Sequence, residues 1–239
     1  MKVIAIVQAR LTSSRFPKKI LKKINNKSIL EILLKRISLA KKLDKIIVAI
    51  PKTKQNDKLE HFLKKKKFIC FRGSELNVLE RYFFAAKKYK ADIIVRITSD
   101  NPLTDPKLID LIVKKIIKEK KDYVSNGLPS YPLGLGAEVF TSRALEKIYY
   151  SAISNFHKEH VTAYILDNKK KFKTAKLKGL NNYSKYRLTV DEPDDFKVIN
   201  SIFNYYKPDI YFSFKEIIKL FKLLPKIFLL NKHVIQKRK

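Results

Sequence analysis

A chain of 239 residues that is 45% hydrophobic and 31% charged has the material for a globular core and is not a disordered segment. Its uncharged apolar runs, such as VIAIV and IFLL, fall far short of the roughly 20 residues a membrane span needs, and the first run is too short for a signal-peptide core, so a cytoplasmic protein with no transmembrane segment is expected. The formal net charge of +31 invites a polyphosphate partner. Only nine of the 53 basic residues are Arg, however, and the Lys residues are spread over nearly every predicted helix, so no specific nucleic acid is expected and the Arg positions carry the information.

The first element is the strand KVIAIVQA. Directly after it, VQARLTSSRFPKK gathers Arg10, Arg15 and Lys19 around Ser13 and Ser14. Like charges repel, so such a loop is either a solvated accident or a seat for a strongly anionic group. The helix SILEILLKRISLAKKL, the strand DKIIVAIP, the helix QNDKLEHFLKKK and the strand KFICFRG follow, then the helix NVLERYFFAAKKY, the strand ADIIVRITSD and the helix DPKLIDLIVKKIIKEK. Strands apolar on both faces, alternating with helices, predict a three-layer, doubly wound, mainly parallel sheet. The lone Cys70 lies in one of those strands and is assigned to packing.

After Lys120 the rhythm changes. YVSNGLPSYPLGLGAEVF holds three of the five glycines of the chain and predicts a loop that walls a ligand pocket, ending in the strand AEVFT. A helix SRALEKIYYSAI, a second helix around HKEHVTAYILDN, the strands FKTAKL and YRLTV, and a helix from Pro193 to about Tyr206 complete the body. The tail from Ser213 to Lys239 mixes apolar and basic residues, breaks at Pro225, and predicts a helical arm packed on the domain or on a partner.

Ligands of open α/β sheets bind beyond the carboxyl ends of the strands. Three polar clusters fall there: the opening loop, VRITSDNP with Arg96 and Asp100, and RLTVDEPDD with Asp191. Two Asp residues over a basic loop suit a magnesium site serving a nucleoside triphosphate. Plainer readings exist for each part, with Asp100 as a turn former, Asp191 as N-cap of the helix at Pro193, and Arg10 and Arg15 in surface ion pairs. There is no G-x-x-x-x-G-K-[ST] or G-x-G-x-x-G motif, and no glycine before Gly73, so side chains rather than a glycine nest must hold any phosphate.

The segments QARLTSSRFPKKIL, FRGSELNVLERYFFAAKKYKADIIVRITSDNPLTDP, YPLGLGAEVF, KEHVTAYI and RLTVDEPDDFKVI, in that order, closely resemble the spore-coat polysaccharide type of cytidylyltransferase, a group related to the enzymes that make CMP-activated sialic acid and CMP-activated Kdo. The resemblance covers roughly residues 3 to 206, giving a catalytic domain of 1–206 and a tail of 207–239 outside it. It implies a Rossmann-like fold of the nucleotide-diphospho-sugar-transferase type, CTP and Mg2+ as ligands, a small hydroxylated or phosphorylated acceptor such as a sugar acid, and a homodimer. Arg10, Ser13, Arg15 and Lys19 would hold the triphosphate, with Gln8 and Ala9 beside them. Arg72, Gly73, Ser74, Asn77 and Arg81 would lie near the base and ribose, and Arg96 near the nucleotide. Asp100 and Asp191 would bind the metal.

Tyr131, Gly134, Glu138, His160 and Arg187 would form the acceptor pocket. His157 and His160 are a weaker metal pair than a helix histidine and an acceptor contact. The family usually has Gly where Thr12 and Lys18 stand, which leaves open whether Lys18 or Lys19 reaches the phosphates. The competing readings are a sugar-nucleotide glycosyltransferase, which the basic loop suits less well than a triphosphate, and a charge-driven nucleic-acid or membrane-surface module.

Overall fold

The computed structural model describes residues 1–236. Strand β1 (Val3–Gln8) enters the opening loop, and a small hairpin of β2 (Lys23–Ile24) and β3 (Lys27–Ser28) leads into α1 (Ile29–Ile37). Then come β4 (Lys45–Pro51), α2 (Asp57–Lys65), β5 (Ile69–Gly73), α3 (Val78–Tyr89), β6 (Ile93–Thr98) and α4 (Pro106–Lys118). The second half holds β7 (Tyr123–Ser125), β8 (Glu138–Thr141), α5 (Ser142–Ser151), α6 (Asn155–His160), α7 (Ala163–Asp167), β9 (Thr174–Lys176), α8 (Pro193–Tyr205) and α9 (Phe214–Leu223).

The seven-stranded sheet runs β5-β4-β1-β6-β8-β7-β9, with β8 antiparallel to both its neighbours and the remaining pairs parallel. Residue alternation on β1 makes the layers. Val3, Ala5 and Val7 pack with Leu30, Leu33 and Leu34 of α1 and with Ile109 and Ile112 of α4, whereas Ile4 and Ile6 pack with Leu79 and Tyr82 of α3 and with Leu145 and Ile148 of α5. The doubly wound, three-layer expectation holds. Cys70 is half-buried against the first of these clusters, and burial pushes its thiol pKa up to about 11, away from reactivity.

Three sequence expectations are corrected. YRLTV does not form a strand: it makes a single bridge, between Arg187 and Leu133, and its Val190 N–H donates to the Asp100 carbonyl at 2.9 Å. The approach is so close that a Cβ on Gly134, whose φ is +100°, would lie 2.3 Å from the Leu188 carbonyl carbon. The helix around HKEHVTAYILDN is two short helices parted at Val161, with a φ of +51° and a tight turn in which the Thr162 N–H donates to the His160 carbonyl at 2.5 Å. Strand β7 went unseen because three residues give no periodicity.

The tail is part of the core. Phe212, Phe214, Ile217, Leu220, Phe221 and Phe228 are buried with Ile24, Ile29, Leu188 and Val198. Arg36 of α1 clasps its entry, donating to the carbonyls of Ile210 at 2.5 Å and Phe212 at 3.0 Å beneath the Phe212 ring, and burial lowers the guanidinium pKa to about 10. The basic finish at residues 237–239 lies outside the described residues. Because each such buried apolar side chain is worth about 1.5–3 kcal/mol against a typical stability of about 5–15 kcal/mol, a chain cut after Lys207 is expected not to fold cooperatively, as urea unfolding followed by circular dichroism will show. Gly134→Ala is expected to lose about 3 kcal/mol in the same assay, because both the backbone region and the space are closed to a Cβ.

Candidate active site

The opening loop is stitched into shape by backbone groups. The Leu11 N–H donates to Asn56 Oδ1 at 3.1 Å, and the Ser13 and Lys18 N–H groups both donate to the Leu11 carbonyl. Lys18 then turns the chain with φ +56°, a left-handed position that suits the glycine of the related pattern, and its side chain is exposed. Lys19 begins a 3-10 turn anchored by the buried Ile20, which aims its ammonium inward. Lys19 rather than Lys18 therefore faces the site.

The Lys19 Nζ lies 2.7 Å from Asp100 Oδ2 and 2.7 Å from Asp191 Oδ1, bridging two carboxylates that follow β6 and the segment ending at Val190. Arg15 adds Nη2 at 3.3 Å from Asp191 Oδ1 and Nη1 at 3.2 Å from Glu192 Oε1. From the other side Arg187 places Nη2 3.0 Å from Asp191 Oδ2 while gripping the fully buried Asp195 through Nε at 2.8 Å. Burial alone would lower the Lys19 pKa, but Asp100 and Asp191 outweigh it and the ammonium ends above its ordinary value. Burial alone would likewise raise Asp191, yet Lys19, Arg15 and Arg187 hold its carboxyl below the usual range. The cap of the helix at Pro193 is Glu192, in a capping box with Asp195, whose Oδ2 accepts the N–H groups of Asp191 at 2.9 Å and Glu192 at 3.0 Å, so the Asp191 side chain is not the cap.

These groups border a cavity of about 430 Å³ beyond the carboxyl ends of β1 and β6. Of the sequence candidates, it is lined by Gln8, Ala9, Arg10, Ser13, Arg15, Lys19, Arg81, Asp100, Gly134, His160 and Asp191. Arg10 meets Glu159 only loosely, at 3.7 Å with both half-exposed. Arg81 passes over Gly73, where a Cβ would meet its Cγ at 2.9 Å, and donates to the Ser74 carbonyl at 2.6 Å. Burial lowers the Arg81 pKa, and the like charge of Arg10 pushes the same way, so this wall is positive and underpaired. That is an environment for an anion.

Other candidates stand elsewhere. Arg72 is turned to Glu60 at 2.5 Å, Asp57 at 2.7 Å and the Thr53 carbonyl at 2.9 Å, and does not line the cavity. Ser74 accepts from the Asn77 N–H at 3.2 Å and Asn77 caps α3 through the Glu80 N–H at 2.9 Å, which accounts for both as local structure. Arg96 and Glu138 form a partly buried pair, and the Tyr123 and Thr162 hydroxyls also donate to Glu138 at 2.5 and 2.7 Å, so Glu138 is spent on the sheet. Arg96 still reaches Gln8 Oε1 through Nε at 3.3 Å. Tyr131 packs against Phe214 among the buried residues of the tail, and Arg187 serves Asp191 and Asp195. His157 pairs with Asp167 at 2.8 Å, whereas His160 lines the cavity, so the two histidines serve different surroundings.

Thr98, Ser99, Asn101, Glu159, Thr189 and Gln236 also line the cavity and were not singled out. The first three lie within VRITSDNP and were legible from position alone. Nothing in the sequence pointed to Gln236.

A doubly wound sheet with a cation-walled cavity at the carboxyl ends of its central strands is the arrangement of a nucleotide-binding α/β protein. Comparison supplies the particular class. The cytidylyltransferase family matches residues 4–233, and the chain belongs to it. The match runs through most of the tail, past the limit at residue 206 that the motifs suggested.

The chain is 41% identical to the protein MJ1063 of Methanocaldococcus jannaschii over 99% of this chain and 97% of that one. It is 31% identical to the spore coat polysaccharide biosynthesis protein SpsF of Bacillus subtilis, over 93% and 95%. The structure of a cytidylyltransferase from Leptospira borgpetersenii superposes with a TM-score of 0.91 at 33% identity, covering 95% of this chain and 97% of that one. The protein is thus a nucleotidyltransferase. No helix among the described residues is long and apolar enough to cross a membrane.

The Lys19 bridge sets a pH window. Asp191, held low, contributes stability that is complete above its ordinary pKa of 3.8 and is lost as pH falls through the depressed folded value. Lys19, held high, contributes stability that is complete below 10.5 and is lost as pH rises through the raised folded value. Lys19→Met is therefore expected to cost about 3 kcal/mol near neutrality, where two partly buried carboxylates lose their shared cation. Its deficit should shrink at both extremes in a melting scan against pH, and a deficit independent of pH would contradict the bridge.

Proposed function

We propose that the protein transfers CMP from CTP to a small hydroxylated acceptor of the sugar-acid or related class, releasing pyrophosphate, with magnesium held by Asp100 and Asp191, in the making of a surface polysaccharide. The observation that carries the reading is the convergence of those two carboxylates on one cationic point at 2.7 Å each, beside the positive wall of Arg10, Arg15 and Arg81. The resemblance to the enzymes that activate sialic acid and Kdo, and the name of the Bacillus subtilis relative, support the acceptor class and the pathway.

The donor set fits a hard divalent ion. Two carboxylates face a common point, and the buried Asn101 Oδ1 beside them has no hydrogen-bond partner. Magnesium commonly takes one or two protein carboxylates and leaves its other positions to water and phosphate, so a third acidic ligand is not required. When bound, the metal neutralises charge on the phosphate oxygens. With a metal on the two carboxylates, Lys19 would yield that point, and its ammonium would serve the phosphates beside Arg15.

In the reaction an acceptor oxygen forms a bond to the α-phosphorus as the bond to the pyrophosphate oxygen breaks. Negative charge grows on the departing group. Arg15, held by the Asp191 and Glu192 carboxylates, is fixed before the reaction and stabilises that charge without reorganising, and Arg10 and Lys19 add positive charge beside it. The protein's part is orientation and electrostatics, and none of its side chains need form a covalent bond to the nucleotide.

Asp100→Asn and Asp191→Asn are expected to lower pyrophosphate release by at least about a hundredfold, with CTP and a panel of sugar acids and sugar or polyol phosphates as acceptors. Near-normal turnover in both variants would refute the two-carboxylate reading. Magnesium-dependent thermal stabilisation should be larger with CTP than with ATP, GTP or UTP, since a ligand at about 100 times its dissociation constant adds roughly 2.7 kcal/mol. Equal shifts with all four would remove the cytosine preference.

A further inference from the structure

We propose that residues 231–236, at the end of the tail, are a working part of the active site, in which Asn231 and Gln236 act as positioning residues for the Asp191 carboxylate. The inference rests on the reading of Asp191 as a metal ligand given above.

The segment follows the buried Phe228 and is tied down at three points. Asn231 is only 3% exposed, and its Nδ2 donates both to the Arg187 carbonyl at 3.0 Å and to Asp195 Oδ1 at 2.8 Å. His233 pairs with Asp194 at 3.1 Å. Gln236 lines the cavity, and its Oε1 accepts from Arg187 Nη1.

Two of those ties bear on one residue, Gln236 on the Arg187 guanidinium itself and Asn231 on the Arg187 backbone and on its partner Asp195. Arg187 donates through Nε and Nη2 to the two oxygens of Asp195, at 2.8 and 3.0 Å, and through Nη2 to Asp191 Oδ2 at 3.0 Å. A guanidinium is a planar, rigid fork, so its three nitrogens move together. Gln236 holds the corner facing away from Asp195, and Asn231 holds both the backbone of Arg187 and the carboxylate on which the fork rests. With the fork fixed, Asp191 Oδ2 is engaged and Oδ1 is left to the cation it shares with Asp100. Groups that orient a metal ligand from behind are typically worth about 10–100-fold in metal affinity.

The test is a titration of the full-length protein with Mn2+ in the presence of saturating CTP, with free Mn2+ read by electron paramagnetic resonance. Gln236→Ala, a substitution at the rim, should weaken Mn2+ binding about tenfold while leaving the melting temperature unchanged. Gln236→Glu, which keeps an oxygen for Arg187, should restore the wild-type affinity. Wild-type affinity in Gln236→Ala, or an equal loss in Gln236→Glu, would overturn the proposal.

Asp191→Asn in the same titration separates the two readings. If it loses Mn2+ and Gln236→Ala does not, the tail is only packing. If Asp191→Asn binds as wild type, the metal role of Asp191 is itself wrong and the positioning role falls with it.

Discussion

The structure turns on one ammonium group lodged between two carboxylates. Lys19, Asp100 and Asp191 are separated by 81 and 172 positions in the chain, yet Nζ stands 2.7 Å from an oxygen of each. Two carboxylates so placed would repel without a cation between them, and a half-buried ammonium would be costly without its partners. Each group therefore depends on the others, and the opening loop, the end of β6 and the approach to α8 are locked into a single arrangement. In the proposed function the same arrangement receives a divalent ion and the nucleotide triphosphate.

Holding that point requires precision from distant parts of the fold. The Asp100 carbonyl accepts from Val190, which sets the register between the two acidic residues, and the Gly134 loop lies so tightly on Leu188 and Thr189 that a side chain there would part them. Arg187, Asp195 and Asn231 form the layer behind Asp191. Arg36 joins the tail to the body by giving its fork to backbone carbonyls rather than to a phosphate. Several of the few arginines of this lysine-rich chain are thus spent on architecture, and Arg10, Arg15 and Arg81 border the cavity.

Much of this was legible in the sequence because it rests on local pattern. Strands apolar on both faces and alternating helices gave the doubly wound sheet, and position at strand ends singled out the opening loop and Asp100, while Asp191 was singled out by an expected strand that does not form. What failed was long-range. YRLTV alternates like a strand, but its neighbour is a glycine loop, so it is extended without a ladder. Val161 breaks an apparently continuous helix at a residue that ordinarily avoids positive φ, a choice imposed by the tertiary contacts of Thr162 with Glu138. Arg72, Arg96 and Glu138 have the residue types of a binding site and are consumed by neighbours that only the fold brings near. The tail read as an appendage because its apolar spacing says that it packs without saying on what, and Gln236 carries no motif at all.

The central claim is that Asp100 and Asp191 share a cation with which the nucleotide triphosphate is bound, and that Lys19 holds their common point in the absence of the metal. A crystal structure of the protein with CTP and Mn2+, with anomalous scattering recorded at the manganese edge, tests it most directly. The account predicts an anomalous peak within coordination distance of both carboxylates and a Lys19 ammonium turned from them to a phosphate oxygen. A peak elsewhere in the cavity, with Lys19 still bridging Asp100 and Asp191, would contradict it.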